Sequence, residues 1–193
     1  MMENKSKTAY LRNLTLAAMF LALGLVLPFA TAQIQQIGNM LLPMHLPVLL
    51  CGLICGWQYG AVVGFVCPLL RFALFSMPPM PMGIGMAFEL CAYGAIVGFL
   101  YGHSKWKCVF SLYRSLIIAM IGGRVVWGIA RVIMVGAANV PFSWELFISG
   151  ALLTAIPGII LQLILIPAVM VALDKAKLVP FTKNRGIQTA VNG

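Results

Sequence analysis

The sequence predicts an all-α membrane protein, a bundle of six transmembrane helices with both termini in the cytoplasm. Of its 193 residues, 62% are hydrophobic and only 9% are charged, whereas roughly a quarter of a soluble globular domain is charged. The apolar residues form runs long enough to cross a bilayer, without strand-like alternation. Lipid leaves each backbone polar group to be satisfied within its own segment, which favours helices. We expect residues 1–193 to form one membrane domain.

Six segments are predicted to be helical. The Pro-rich stretch 77–82 ends the third, because proline lacks an amide donor and restricts the residue before it. Pro157 and Pro167 are expected to kink the sixth. The expected bounds are about 11–32, 44–56, 59–75, 83–101, 112–138 and 144–173.

The distribution of Lys and Arg predicts the orientation. All but three of the thirteen basic residues lie near the N-terminus, around the junction of the fourth and fifth helices, or in the C-terminal tail. The loops after helices one, three and five contain neither Lys nor Arg. Cytoplasmic loops carry an excess of positive charge, so the pattern predicts cytoplasmic termini and supports the short second helix. The net charge of +9 therefore indicates membrane orientation and not binding of nucleic acid.

The first apolar segment has a competing interpretation. A basic start, an apolar stretch and Ala30-Thr31-Ala32 imitate a secretory signal peptide. The apolar stretch is longer than a usual signal core, and its removal would leave five helices. We therefore expect the segment to be retained as the first spanning helix.

Four ionisable side chains are expected at membrane depth, namely Arg71, Glu89, Arg124 and Arg131. Each costs at least about 2.5–3.5 kcal/mol in hydrocarbon, so we expect it to face the bundle interior, a cavity or a partner. Arg124 and Arg131 are two helical turns apart and share a face of the fifth helix with Trp127. The predicted orientation clusters the four toward the external side.

This excess of arginine over acid has two interpretations. In the functional one, the guanidinium groups bind a ligand that carries a carboxylate or phosphate, for which arginine is a forked donor. In the structural one, Glu89 pairs with one arginine and another extends to the interface. Both are compatible with the sequence.

Polar residues of the external loops are candidates to complete a ligand site. Asn39 precedes the second helix and Asn139 precedes the sixth. A small polar ligand requires a few fixed polar groups among apolar walls. Each loop residue is equally explained as an ordinary solvated side chain. The others considered are Gln33, Gln35, Gln36, Ser143, Trp144 and Glu145.

The sequence offers little for catalysis or metal binding. It contains no nucleotide-binding P-loop, no zinc-binding helix and no Ser/His/Asp set. His45, the methionines of residues 77–82, and the pair Cys51 and Cys55 could supply metal ligands, but we expect packing roles for them. The sequence thus predicts no enzymatic activity, no cofactor and no metal. If ATP drives this protein, another chain hydrolyses it.

Small residues recur at a spacing of four. Ala18 and Ala22 form such a stripe on the first helix, which lets another helix approach closely. The third and fourth helices add glycines that are expected to pack within the bundle. These are Gly60, Gly64, Gly94 and Gly98.

Several segments together resemble the substrate-binding S components of energy-coupling factor (ECF) transporters. The likeness covers about residues 11–173. The segments that carry it are Ala18-Met-Phe-Leu-Ala22, Leu41-Leu-Pro-Met-His-Leu-Pro-Val-Leu-Leu50, the Gly-rich stretch 52–64, Pro68-Leu-Leu-Arg71 and Met86-Ala-Phe-Glu-Leu-Cys-Ala-Tyr-Gly94.

The resemblance implies a six-helix protein of the prokaryotic plasma membrane that captures a water-soluble vitamin from outside. It also implies a transmembrane coupling subunit and two ATPase subunits as partners, with Ala18 and Ala22 docking to the coupling subunit. Its pocket would include Asn39, Glu89, Arg131 and Asn139, and Arg71 would be a less typical contributor. The pantothenate-type subgroup is the nearest, and a carboxylate ligand suits the arginine excess.

Two other classes compete with this interpretation. A stand-alone small-solute carrier or channel would be favoured by duplication between the two halves, which the sequence does not show. A membrane enzyme acting on lipid head groups would need an acid–base pair, for which the candidates are Glu89 and His45.

Overall fold

The computed structural model describes residues 2–31, 42–104, 108–137 and 156–176. These residues form six α-helices and contain no strand, so the all-helical prediction is confirmed for them. A 3₁₀ segment, Leu27–Thr31, continues the first helix. The helices are α1 (Met2–Val26), α2 (His45–Cys55), α3 (Trp57–Phe75), α4 (Met80–Gly102), α5 (Val109–Ala137) and α6 (Ile156–Lys175).

Five of these helices are long and apolar enough to cross a membrane, namely all except α2. Their outer surfaces are apolar as well, as expected of lipid-facing helices: Val62 is 62% exposed, Leu74 is 59% exposed and Ile164 is 65% exposed. α2 has 11 residues, or about 16 Å at 1.5 Å per residue, which is short of a bilayer core of about 30 Å. The described part of the chain therefore contains five helices of spanning length, and the sixth crossing stays a prediction.

α1 and α3 run in the same direction. Tyr10 lies beside Tyr59 with ring centroids 6.5 Å apart, and Phe29 lies beside Phe75 with centroids 4.9 Å apart. Because each pair joins corresponding ends of the two segments, the chain must return across the bundle between them. α2 is the described part of that return.

Gly56 makes the turn between α2 and α3. Its φ of +101° lies in the region that favours glycine, and this residue alone separates Cys55, the end of α2, from Trp57, the start of α3. The Gly56 N–H donates to the Gly52 carbonyl at 3.2 Å, which satisfies the end of α2. Because the chain reverses within one residue, α2 and α3 are in contact directly after the turn.

α3 and α4 are antiparallel and touch backbone to backbone. A Cβ added at Gly94 would meet the backbone of Gly60, and one added at Gly98 would lie 2.6 Å from Trp57 Cα. A Cβ on Gly64 would likewise meet a backbone carbonyl of α4. The prediction that these glycines provide close packing within the bundle is confirmed.

The helix bounds differ from the expected ones mainly at their starts. α1 begins at Met2, well before the apolar run at Leu11. Ser76 ends α3 in the left-handed region with φ 57°, and its N–H donates to the Phe72 carbonyl at 2.8 Å. α4 then begins at Met80, within the Pro-rich stretch. The expected start of the sixth helix, residue 144, lies outside the described residues. In the described part of the chain, α6 begins at Ile156.

Candidate ligand-binding site

A buried carboxylate lies at the meeting point of α2, α4 and α5. Glu89 is 2% exposed, and its Oε1 accepts a hydrogen bond from the Tyr93 hydroxyl at 3.1 Å. The same oxygen lies 3.1 Å from Nη1 of Arg124 and 3.7 Å from Nε2 of His45. The His45 ring also packs edge-on against the Tyr93 ring, with centroids 5.2 Å apart. We refer to His45, Glu89, Tyr93 and Arg124 as the polar cluster.

The Gly122-Gly123 pair lets α5 approach this cluster. A Cβ on Gly123 would lie 2.5 Å from Cε1 of Tyr93, and a Cβ on Gly122 would lie 2.6 Å from Cδ1 of Ile96. Glycine at these two positions therefore leaves room for the side chains of α4. Because Arg124 follows Gly123 directly, the same close approach brings its guanidinium to Glu89.

In the ion pair, the positive charge of Arg124 offsets the negative charge of Glu89 inside the bundle. A buried ion without its partner is strongly destabilising, because desolvation is no longer offset. This pairing is the one that the structural interpretation of the sequence expects, and Arg124 is the arginine that makes it. Only one of the three nitrogens of Arg124 is used, since its Nε and Nη2 have no hydrogen-bond partner among the described residues.

Arg124 also faces a cavity between α5 and α6, which we call the α5–α6 groove. Its volume is about 760 Å³, within the usual range of small-molecule sites. Among the described residues of its lining, Arg124 is the one charged residue, and the others are aliphatic, methionine or glycine. They are Ile117, Met120, Ile121, Val125, Gly128, Ile129, Val132, Ile133, Ile159 and Leu163.

Arg131 and Trp127 lie together farther along α5. The Arg131 guanidinium carbon is 5.7 Å from the centroid of the Trp127 ring, a cation–π arrangement. Trp127 lies against Gly85 of α4, where an added Cβ would be 3.7 Å from the indole. Both side chains are half-buried. The structure thus brings together the pair that the sequence placed on one helical face.

Arg71 has a different environment. It is 4% exposed, and its Nη1 donates to the Leu25 carbonyl in the last turn of α1 at 2.8 Å. Its guanidinium carbon lies 5.2 Å from the Phe29 ring centroid and 5.6 Å from that of Phe75. These contacts join α3 to the end of α1. Among the contacts that the structure describes, the expected cluster of four is therefore divided, and Arg71 lies apart from the Glu89–Arg124 pair.

The remaining candidates fall into two groups. Asn39 and Asn139 lie outside the described residues, as do the other polar loop residues considered with them. Ala18 and Ala22 are both exposed on α1. Gly24 on the same helix faces inward instead, since a Cβ there would lie 2.6 Å from Sγ of Cys67.

Two buried polar side chains were not predicted as site residues. His45 was expected to pack and was otherwise considered only as a metal ligand or as an acid–base candidate of a membrane enzyme, and Gln162 was not singled out. Gln162 is 2% exposed, and its Nε2 has no hydrogen-bond partner among the described residues. Its sequence signal is a lone amide in the apolar run 158–166. Tyr93 was also missed, although its spacing of four from Glu89 on one helix indicates a contact.

The described residues contain no group of three or more His, Cys, Asp or Glu side chains that could hold a metal ion. Cys51 and Cys55 are both buried and free of disulfides. The donors at the site are therefore those of hydrogen bonding and ion pairing: guanidinium, imidazole, amide and phenol.

One comparison with known proteins gives a match. A family model described as the substrate-specific component of ECF transporters matches residues 12–170. No curated protein and no solved structure matches the chain. The matched range extends from the first turns of α1 into α6 and includes all residues of the polar cluster.

Proposed function

We propose a specific role for this chain from the premise that it belongs to the family of ECF transporter substrate-specific components, whose model spans most of its length. Membership makes the chain a substrate-binding subunit of a membrane transporter and not a member of an enzyme family. Proteins of this family bind small molecules and associate with ECF membrane and ATPase modules. The five helices of sufficient length and apolarity agree with a membrane location.

The substrate we propose is an anionic water-soluble vitamin, with pantothenate as the first candidate. The observation that carries this proposal is the position of Arg124, a half-buried side chain whose Nε and Nη2 are buried without partners among the described residues, and which lines an open groove of small-molecule size. Arginine is suited to a carboxylate because its fork of N–H groups can bind both oxygens. Of the four ionisable side chains expected at membrane depth, three are arginines (Arg71, Arg124 and Arg131) and one is an acid (Glu89), so an anion would improve the charge balance.

In the site we propose, Arg124 and Arg131 bind the anionic group and Glu89 holds Arg124 in place. Trp127 would offer an apolar face beside Arg131. Asn39 and Asn139 would contribute from the external loops. Arg71 has a structural role in this proposal and no contact with the ligand, because its contacts with Leu25, Phe29 and Phe75 are sufficient to explain its burial.

The proposed assembly has one transmembrane coupling subunit and two ATPase subunits in a prokaryotic plasma membrane. We propose six crossings in a single domain with both termini cytoplasmic, which the parallel course of α1 and α3 supports. Ala18 and Ala22 would dock to the coupling subunit. Their exposure supports this role, since small exposed side chains allow a partner helix to approach closely.

The test is equilibrium binding of a panel of water-soluble vitamins to the purified full chain in detergent, without ATP or partners. Tight binding of an anionic member supports the proposal, whereas uptake by the chain alone in liposomes would favour a stand-alone carrier. Arg131→Ala should weaken binding of the anionic vitamin. Arg114→Ala is the matched control, because Arg114 is exposed on the same helix. Unchanged affinity in Arg131→Ala would remove that residue from the site.

A further inference from the structure

Three side chains, two of them buried and one half-buried, have buried polar atoms without hydrogen-bond partners among the described residues. These atoms are Nε and Nη2 of Arg124, Nε2 of Gln162, and both ring nitrogens of His45. His45 and Gln162 are 1% and 2% exposed, so bulk water does not satisfy them. Buried polar groups are normally paired, and an unpaired one carries its full desolvation cost.

His45 adjoins the Glu89–Arg124 pair, and Gln162 adjoins two residues that line the groove; neither side chain is itself among the described lining residues. His45 and Arg124 both lie next to the same oxygen of Glu89, at 3.7 and 3.1 Å. Gln162 belongs to the turn of α6 between Ile159 and Leu163, and these two residues line the groove together with Arg124. Since Gln162 is buried while its neighbour Leu161 is 38% exposed, the amide lies on the inward side of that turn.

The unpaired atoms are mostly donors. The guanidinium of Arg124 has no acceptor atom, and Nε2 of an amide side chain donates only. In its neutral form, a histidine ring provides one N–H and one acceptor nitrogen. A guest that satisfies this set must therefore present mainly acceptor atoms, such as the oxygens of a carboxylate or carbonyl.

We propose that Gln162 and His45 are recognition residues, which together with Arg124 donate hydrogen bonds to acceptor oxygens at the buried end of the bound anion. This inference rests on the proposed function and adds polar groups from α2 and α6 to a site whose proposed ligand-binding side chains in the described helices lie on α5. The substrate class is narrowed to molecules with a carboxylate, or a carboxylate and a neighbouring carbonyl, at the end that enters the bundle.

The closing experiment measures two properties of Gln162→Leu in the purified full chain, the melting temperature without ligand and the Kd for radiolabelled pantothenate and the other panel vitamins. Leucine removes the unpaired amide at similar volume. We therefore expect an unchanged or higher melting temperature and a Kd about tenfold weaker, as for a lost hydrogen bond to a charged group. Ile164→Leu, at a position 65% exposed on the same helix, should change neither property.

Two further variants sharpen the result. Gln162→Glu keeps the side-chain size but places a carboxylate opposite the anion, so it should weaken binding more than leucine does. His45→Phe, on α2, keeps an aromatic ring against Tyr93. Like Gln162→Leu, it should leave the melting temperature unchanged or higher and weaken the Kd.

A lower melting temperature of Gln162→Leu would overturn the inference, because it would mean that the amide has a structural partner. An unchanged Kd for the vitamin that the wild type binds would also overturn it, while leaving the proposed function in place. If the wild type binds no vitamin of the panel, the proposed function fails and the recognition role fails with it.

Discussion

The two sides of α4 differ in how their neighbours approach it. On one side α3 comes so close that Gly60 and Gly94 meet through their backbones. On the other side α5 is held by side chains, with the Tyr93 ring over Gly123 and Arg124 paired with Glu89. Beyond α5, the groove of about 760 Å³ separates it from α6.

This difference indicates a division of roles within one bundle. Backbone packing leaves no space for a guest and gives α3 and α4 one fixed arrangement. Contacts through long polar side chains leave atoms such as Nε of Arg124 available for another partner. We therefore interpret α3 and α4 as the scaffold, and α5 and α6 as the side that receives the ligand.

The largest effect is expected from breaking the ion pair. Glu89→Gln should lower the free energy of unfolding by about 3–5 kcal/mol, because Arg124 would keep a buried charge without its partner. The double variant Glu89→Gln with Arg124→Gln should recover much of this loss. Unfolding of the two single variants and the double variant in detergent measures the coupling, and strictly additive losses would show that the two groups do not interact.

A smaller loss of unfolding free energy is expected from adding a methyl group at the contact between α3 and α4. Gly94→Ala should cost about 1–3 kcal/mol of unfolding free energy, because the new methyl group would meet the Gly60 backbone, which cannot move aside easily. Gly136→Ala on α5 is the control, since an added Cβ has no neighbour within 4 Å there. Equal stability of the two variants would contradict the scaffold interpretation.

A substitution of Arg71 tests whether this arginine has a structural role or binds the ligand. Arg71→Met keeps much of the side-chain volume but loses the bond to the Leu25 carbonyl, at a cost of about 1.5 kcal/mol. We expect a modestly lower melting temperature and an unchanged Kd for the anionic vitamin. A manyfold weaker Kd would instead return Arg71 to the binding site, as the sequence alone suggested.

The smallest effect on the chain itself is expected at Ala18. Because this side chain is exposed, Ala18→Trp should leave stability and vitamin binding unchanged while blocking assembly with the coupling subunit. Leu23→Trp, at a position 42% exposed on the same helix, is the control and should assemble. Co-purification with the partner subunits measures both, and normal assembly of Ala18→Trp would reject the docking stripe.

The helices and their glycine contacts could be predicted from the sequence, because long apolar runs and small residues at a spacing of four are local patterns. Gly60 and Gly94 were recognised from such spacing. The tight reversal at Gly56 was not, since its positive φ is a property of the folded backbone.

Less of the site could be predicted from the sequence, because its contacts join distant parts of the chain. The sequence marks Glu89 and Arg124 as costly in lipid, but it does not show which arginine pairs with the acid. Arg71 binds a backbone carbonyl of α1, a partner that no side-chain pattern reveals. His45 becomes a candidate only because folding brings it within 3.7 Å of Glu89, and Gln162 only because its amide nitrogen is buried without a partner among the described residues.

Arg124 is proposed to bind a negatively charged molecule from the α5–α6 side. The most direct test is mass spectrometry of the small molecule retained by the full chain after purification, compared between wild type and the Glu89→Gln, Arg124→Gln double variant. We expect a carboxylate or phosphate compound bound to the wild type and absent from the variant. A neutral or cationic compound, or equal retention by both proteins, would contradict the account.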